Sequence, residues 1–205
     1  YMPSPYICYS DNAQDALYLG GACFLNGENS AHFLLYRYQG GVWDSIGDFE
    51  NEIRTAIVYH DTLIVAGGFP SVEGQPICQI ACYAGGVWHS YGAIGPGPYS
   101  GVVSGLRVVD GVLYALGIFN NADGYFCNGI AKRVGGHWEN VGVLPTFNGD
   151  GSAWFQDAIL YQGKLVVSGN FTSADGTIND VMEYDGNSWQ PICDCCMAAW
   201  TAPDP

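Results

Sequence analysis

Four stretches of the chain are almost continuously apolar: ALYLGG at 16–21, LIVAGGF at 63–69, LYALGIF at 113–119 and LVVSGNF at 165–171. An unbroken apolar run of this length reads as a strand buried on both faces. Each is followed by a polar loop: LNGENS at 25–30, PSVEGQ at 70–75, NNADGY at 120–125 and TSADGT at 172–177. A glycine or Asx turn and a tryptophan come next, in QGGVW (39–43), AGGVW (84–88), VGGHW (134–138) and DGNSW (185–189). Upstream of the last three apolar runs lies a β-rich segment ending in a short turn, seen in TAIVYHDTL, GLRVVDGVL and AILYQGKL. The first unit offers PYICYSDNAQDAL in that place.

The tryptophans Trp43, Trp88, Trp138 and Trp189 are 45, 50 and 51 residues apart. Three are followed at the same offset by Gly47, Gly92 and Gly142; the fourth such slot holds Cys193. Two unrelated signatures recurring in step define a repeat. Each unit reads as four strands, a to d. The a–b turns fall at His60-Asp61-Thr62, Asp110-Gly111 and Gln162-Gly163. The c–d turns fall at Gly40-Gly41, Gly85-Gly86, Gly135-Gly136 and Asp185-Gly186. Gly and Asp at these places permit the positive φ of primed hairpin turns.

Tandem four-stranded antiparallel units of about 40–50 residues predict an all-β fold, a β-propeller of four blades. The blades span ~5–47, ~53–92, ~102–142 and ~153–193, and a cysteine-containing tail covers 194–205. An arc of a larger propeller completed by another chain is the alternative. Trp43, Trp88, Trp138 and Trp189 are read as scaffold because they hold the same place in every blade, as do Gly20, Gly67, Gly117 and Gly169 at the end of strand b.

These repeats resemble the kelch superfamily, in which a glycine doublet ends one strand and a tryptophan marks a later one. Gly20-Gly21 and Gly67-Gly68 match the doublet, while Gly117-Ile118 and Gly169-Asn170 keep its first glycine. Tyr38, Tyr83 and Tyr184 stand where the kelch tyrosine precedes the tryptophan, and Arg133 takes that slot in unit three. The turn between them is shorter than the usual kelch turn. The chain is more similar to repeats of the form LYVGGxF…A…WDGxxWxxLG, found in bacterial secreted and surface proteins and in fungal cortical polarity-marker proteins. That resemblance covers residues ~5–193. It implies a propeller in an extracellular or surface setting and no chemistry, because the shared motif is scaffold.

Composition narrows the partners. Lys+Arg number 6 against Asp+Glu 20, a formal net charge of −14. Nucleic acid binding needs a basic patch, and anionic lipid attracts basic segments, so neither is an expected partner. No apolar run reaches the ~18 residues of a membrane helix. The eight cysteines, Cys8, Cys23, Cys78, Cys82, Cys127, Cys193, Cys195 and Cys196, lack paired zinc-ligand spacing and are read as disulfide candidates of an oxidising compartment. Cys78 and Cys82 stand ~13 Å apart on one strand and cannot bridge each other. A link from Cys8 to the 193–196 region would staple a ring shut. The chain opens on Tyr1, as after removal of a leader or at any internal boundary. A secreted or cell-surface location follows as the expectation.

Candidate chemistry is sparse. Trp154 and Trp200 lie outside the repeat pattern and are the candidate ligand surface. Asp123 and Asp175, in the NADG and SADG loops, are candidate metal ligands, for calcium, as is the NGEN loop at 26–29; none has EF-hand spacing. His32, His60, His89 and His137 are scattered. Asp44, Asp48, Glu50 and Glu52 read as a solvated loop, and Asn170-Phe171-Thr172 is a glycosylation sequon. No nucleophile elbow, HExxH or phosphate loop is present. The sequence therefore predicts a non-enzymatic binding or structural module without a cofactor, engaging a protein or glycan or assembling with itself. A glycan-binding or glycan-hydrolysing propeller and a calcium-dependent adhesion module are the alternatives.

Overall fold

In the computed structural model, which describes residues 4–24, 31–95, 101–147 and 153–192, every regular element is a β-strand. Unit one comprises β1 (Ser4–Asp11), β2 (Ala16–Phe24), β3 (Ala31–Gln39) and β4 (Val42–Phe49). Unit two comprises β5 (Ile53–Tyr59), β6 (Thr62–Gly67), β7 (Ile80–Ala84) and β8 (Val87–Ser90). Unit three holds β9 (Val102–Val109), β10 (Val112–Ile118), β13 (Ile130–Val134) and β14 (His137–Asn140), with a small hairpin, β11 (Asn121–Ala122) and β12 (Tyr125–Phe126), in its loop. Unit four holds β15 (Trp154–Tyr161), β16 (Lys164–Thr172), β17 (Asn179–Tyr184) and β18 (Trp189–Gln190). Each unit is one antiparallel sheet whose spatial order follows the chain.

The turns explain why pairing is local. His60-Asp61, at φ 49° and 59°, and Gly85-Gly86, at 61° and 84°, have the positive φ at both central residues that twist-compatible two-residue hairpins require. In unit four the turn sits one residue later than the sequence suggests. Asp185 N–H donates to the Ser188 carbonyl (3.3 Å), so Gly186-Asn187 occupy the corner. The Asp185 carboxylate accepts from the Asn187 and Ser188 amides (2.8 Å each), and these bonds hold its pKa below the ordinary value.

The core is three sheet-on-sheet interfaces, each shared by consecutive units. Ile7, Tyr18, Leu35 and Phe49 of unit one pack with Ile53, Leu63, Val65 and Trp88 of unit two. Ile64, Ala66 and Ile80 of unit two pack with Leu106, Leu113, Ala115 and Trp138 of unit three. Leu116, Ile130 and Val141 of unit three pack with Phe155, Leu165, Val167 and Trp189 of unit four. Alternate residues of β6 therefore enter different cores, Leu63 and Val65 one way, Ile64 and Ala66 the other. That is the physical origin of the unbroken apolar run.

The first strands β1, β5, β9 and β15 lie side by side in that order, and no comparable contact joins β15 to β1 among the described residues. Within each sheet the third-strand residue paired to the tryptophan is the one expected: Tyr38, Tyr83, Arg133 and Tyr184 oppose Trp43, Trp88, Trp138 and Trp189. The tyrosine rings lie 5.0–5.1 Å from their indoles, and the Arg133 guanidinium 5.3 Å from Trp138.

The glycine ending the second strand has one job in every unit. Gly67 pairs with Ile53 and Ala66 with Thr55, so Arg54 is an extra residue, a β-bulge; Ser104 and Gln156 bulge in the same way opposite Gly117 and Gly169. A Cβ on Gly67, Gly117 or Gly169 would stand 2.0–2.1 Å from the carbonyl oxygen of Glu52, Val102 or Trp154. In unit one Pro5 pairs with Gly21 and Ile7 with Gly20, so the bulge is Tyr6 and the equivalent glycine is Gly21. The register thus corrects the sequence alignment of Gly20 with Gly67 by one residue. Gly117→Ala should lower stability by about 1–3 kcal/mol, against a smaller loss for Gly40→Ser, whose turn has nothing within 4 Å of a new Cβ but a positive φ to strain. Thermal melts of the two variants compare a backbone collision with turn strain alone.

Candidate functional site at the bulged strand ends

A bulge turns its extra residue away from the alternation of the strand. Three of them, Arg54, Ser104 and Gln156, come from consecutive first strands and line one open pocket of about 470 Å³ with Glu52 and Trp154. Tyr6 holds the same register position in unit one. The pocket is therefore a product of the repeat, while its chemistry differs in each unit.

Trp154 is fixed rather than loose. Its Nε1–H donates to Ser104 Oγ at 2.8 Å, and the Arg54 guanidinium lies 5.8 Å from its ring centroid, within cation–π range. Arg54 Nη2 donates to Glu52 Oε1 at 2.6 Å, so the one carboxylate lining the pocket is neutralised within it. Arg54 Nε is buried and has no hydrogen-bond partner among the described residues. A buried donor without a partner marks a place where a ligand or solvent oxygen is wanted. The pocket offers an aromatic face, an amide, a hydroxyl and this donor, with no net charge.

Charge elsewhere reinforces that character. Of the six Lys and Arg side chains, Arg37 pairs with Asp44, Arg54 with Glu52, Arg107 with Asp157, Lys132 with Glu139, Arg133 with Asp123 and Lys164 with Glu183. No cation is left uncommitted to receive an anionic ligand.

The other residues singled out in the sequence go to separate places. Trp88, Trp138 and Trp189 are buried, whereas Trp43 is 41% exposed. Trp200 and the NGEN loop at 26–29 lie outside the described residues. Asp123 accepts from the Ala93 amide (2.7 Å) and the Trp138 amide (2.6 Å), clasping unit three to unit two. Asp175 Oδ1 accepts from Ser173 Oγ, Thr177 N and Thr177 Oγ1 at 2.6–3.0 Å, and these bonds hold its pKa down at about 2. Both carboxylates are thus committed to loop geometry, and no group of three His, Cys, Asp or Glu suited to a metal occurs among the described residues. His60 stacks on Tyr59, His137 on Tyr125, and His32 meets Asp48 at 3.4 Å. Asn170 of the sequon is exposed and opposite Trp154 in the sheet.

For four of the cysteines the disulfide expectation is corrected. Cys8, Cys78, Cys82 and Cys127 are free thiols. Cys82 faces Ile64 and His89 across its sheet, Cys8 faces Leu19, and Cys78 Sγ lies 3.3 Å from the Pro70 carbonyl. Cys127 is buried, which pushes its thiol up to about 12. The side chain of Cys23 and all of Cys193, Cys195 and Cys196 lie outside the described residues.

No family model and no curated protein matches the chain. The pocket residues Glu52, Arg54, Ser104 and Gln156 were not evident as site residues in the sequence. Glu52 in particular read as part of a solvated acidic loop. The available signal was the recurring glycine inside an apolar strand, which marks a bulge on its partner.

Two measurements check this arrangement. Iodoacetamide at pH 8 should modify Cys8 and Cys78 in the native protein and reach Cys127 only on unfolding, read by peptide mass mapping. The second concerns Asp175, whose folded pKa of about 2 lies below the ordinary carboxylate value. Its contribution is present above that ordinary value and disappears as pH falls towards 2. Asp175→Asn should therefore lower Tm at pH 7, and the gap to the parent protein should close between pH 4 and pH 2.

Proposed function

We propose that the chain is a non-enzymatic binding module built as a β-propeller, working secreted or at a cell surface and engaging its ligand where the bulged first strands converge. The observation that carries this reading is the convergence of Arg54, Ser104 and Gln156, from three different sheets, around Trp154. Ligand sites sit where several elements bring side chains to one concavity. The propeller reading is supported by sheets packed face to face in chain order with their first strands side by side. The likeness to kelch-like repeats of secreted and surface proteins, together with the acidic surface, supports the extracellular setting.

A neutral glycan is the favoured ligand class. A pinned indole beside an amide, a hydroxyl and a vacant buried donor is the chemistry that stacks on a sugar ring and reads its hydroxyls. Hydrolysis is less supported than binding. A glycosidase needs two carboxyls ~5–9.5 Å apart, and Glu52, tied to Arg54, is the one carboxylate lining the pocket. Calcium-dependent adhesion gains no support from Asp123, whose two oxygens accept the Ala93 and Trp138 amides, or from Asp175, whose Oδ1 accepts three bonds within its loop.

A neutral-oligosaccharide array, run beside a peptide array, tests the reading. Binding on the sugar array should fall at least tenfold in Trp154→Ala and in Gln156→Ala, with Tm of the glutamine variant unchanged. Binding that survives both substitutions would place the ligand elsewhere on the molecule.

A further inference from the structure

Three joints between consecutive units repeat one set of contacts. The indole N–H of each fourth-strand tryptophan donates to the backbone carbonyl three residues beyond the preceding unit's tryptophan: Trp88 to Ile46 (2.7 Å), Trp138 to Tyr91 (2.8 Å) and Trp189 to Val141 (2.7 Å). Just beyond, a single antiparallel bridge joins the units, Phe49 with Val72, Ile94 with Ala122 and Phe147 with Ser173. The second strand of the later unit turns alternate apolar residues, such as Leu63 and Val65, onto the earlier one.

Both halves of a fourth such joint stand open. On unit one, Trp43 is 41% exposed and its Nε1 has no hydrogen-bond partner among the described residues, while Leu17 and Leu19, the counterparts of Leu63 and Val65, are only half-buried. On unit four, Ile192 is three residues past Trp189, in the acceptor position, and is 40% exposed; Ile159, the counterpart of Ile57, is 56% exposed. The array also curls tightly, because Arg54 of unit two reaches Trp154 of unit four past unit three.

We infer that unit four docks on unit one of the same molecule, with Trp43 Nε1 donating to the Ile192 carbonyl. The inference rests on the propeller reading and adds how the ring is held. Propellers of four blades are the smallest common closed form, and contact between units two apart is what so small a ring produces.

The test uses the full chain with Trp43→Phe, Trp88→Phe, Trp138→Phe and Ile159→Asp, read by thermal melting and by mass in solution. Closure predicts a 22.0 kDa monomer in which Trp43→Phe lowers Tm by about 2–4 °C, comparable to Trp88→Phe. It also predicts that Ile159→Asp lowers Tm by several degrees, although such a change at an exposed position is ordinarily near neutral. Neutral Trp43→Phe and Ile159→Asp beside a destabilising Trp88→Phe would overturn closure and leave the stacked units standing. A concentration-dependent dimer or polymer would overturn it by assigning the joint to a second copy. Loss of effect at Trp88 and Trp138 as well would remove the propeller reading itself.

Discussion

Each sheet in this protein has two apolar faces and, among the described residues, no helix to cover either, so a unit cannot bury its second strand alone. Leu63 and Val65 are covered by unit one, Ile64 and Ala66 by unit three, and the remaining features of the fold follow from that dependence. Burial removes these faces from water at ~25 cal/mol per Å² of apolar surface. The gain is available only if neighbouring sheets stack at a fixed offset. The tryptophan-to-carbonyl bond and the single bridge at each joint set that offset, because both are satisfied at one relative position of the sheets.

The same stacking creates the candidate site. Crowding first strands together at one side leaves little room for ordinary pairing near their starts. In every unit the chain relieves this with a bulge opposite a glycine. The bulges are a packing device, yet those of units two, three and four each bring a side chain to one shared concavity. A scaffold rule thus fixes where variable residues point, and the chemistry is set by what occupies those positions: a guanidinium, a hydroxyl and an amide, around an indole held by two of them.

Much of the fold was legible in the sequence because its signals are local. Two-residue turns with Gly-Gly or His-Asp, the unbroken apolar second strand and the Tyr–Trp pairs each leave a mark within about ten residues. Two errors of one residue arose where local marks were ambiguous, Gly20 against Gly21 in a doublet and Asp185-Gly186 against Gly186-Asn187 in a polar turn. The site was less legible. Trp154 stood out by breaking the repeat, but Arg54, Ser104 and Gln156 share no residue type and meet only because three bulges 50 and 52 residues apart open on one pocket. The cysteines misled for a related reason. An even count says nothing of distance: Cys8 lies opposite Leu19, Cys82 lies between Ile64 and His89, and Cys127 is buried in an apolar core, none of them bonded to another cysteine.

The central claim is that four stacked sheets share one axis. Small-angle X-ray scattering of the protein in dilute solution measures that most directly. A compact ring of this length should give a radius of gyration of roughly 17 Å, with a pair-distance distribution that has a single symmetric peak. A clearly larger radius with an extended tail would mean that the sheets run on as an open arc. The outer faces of units one and four would then remain bare.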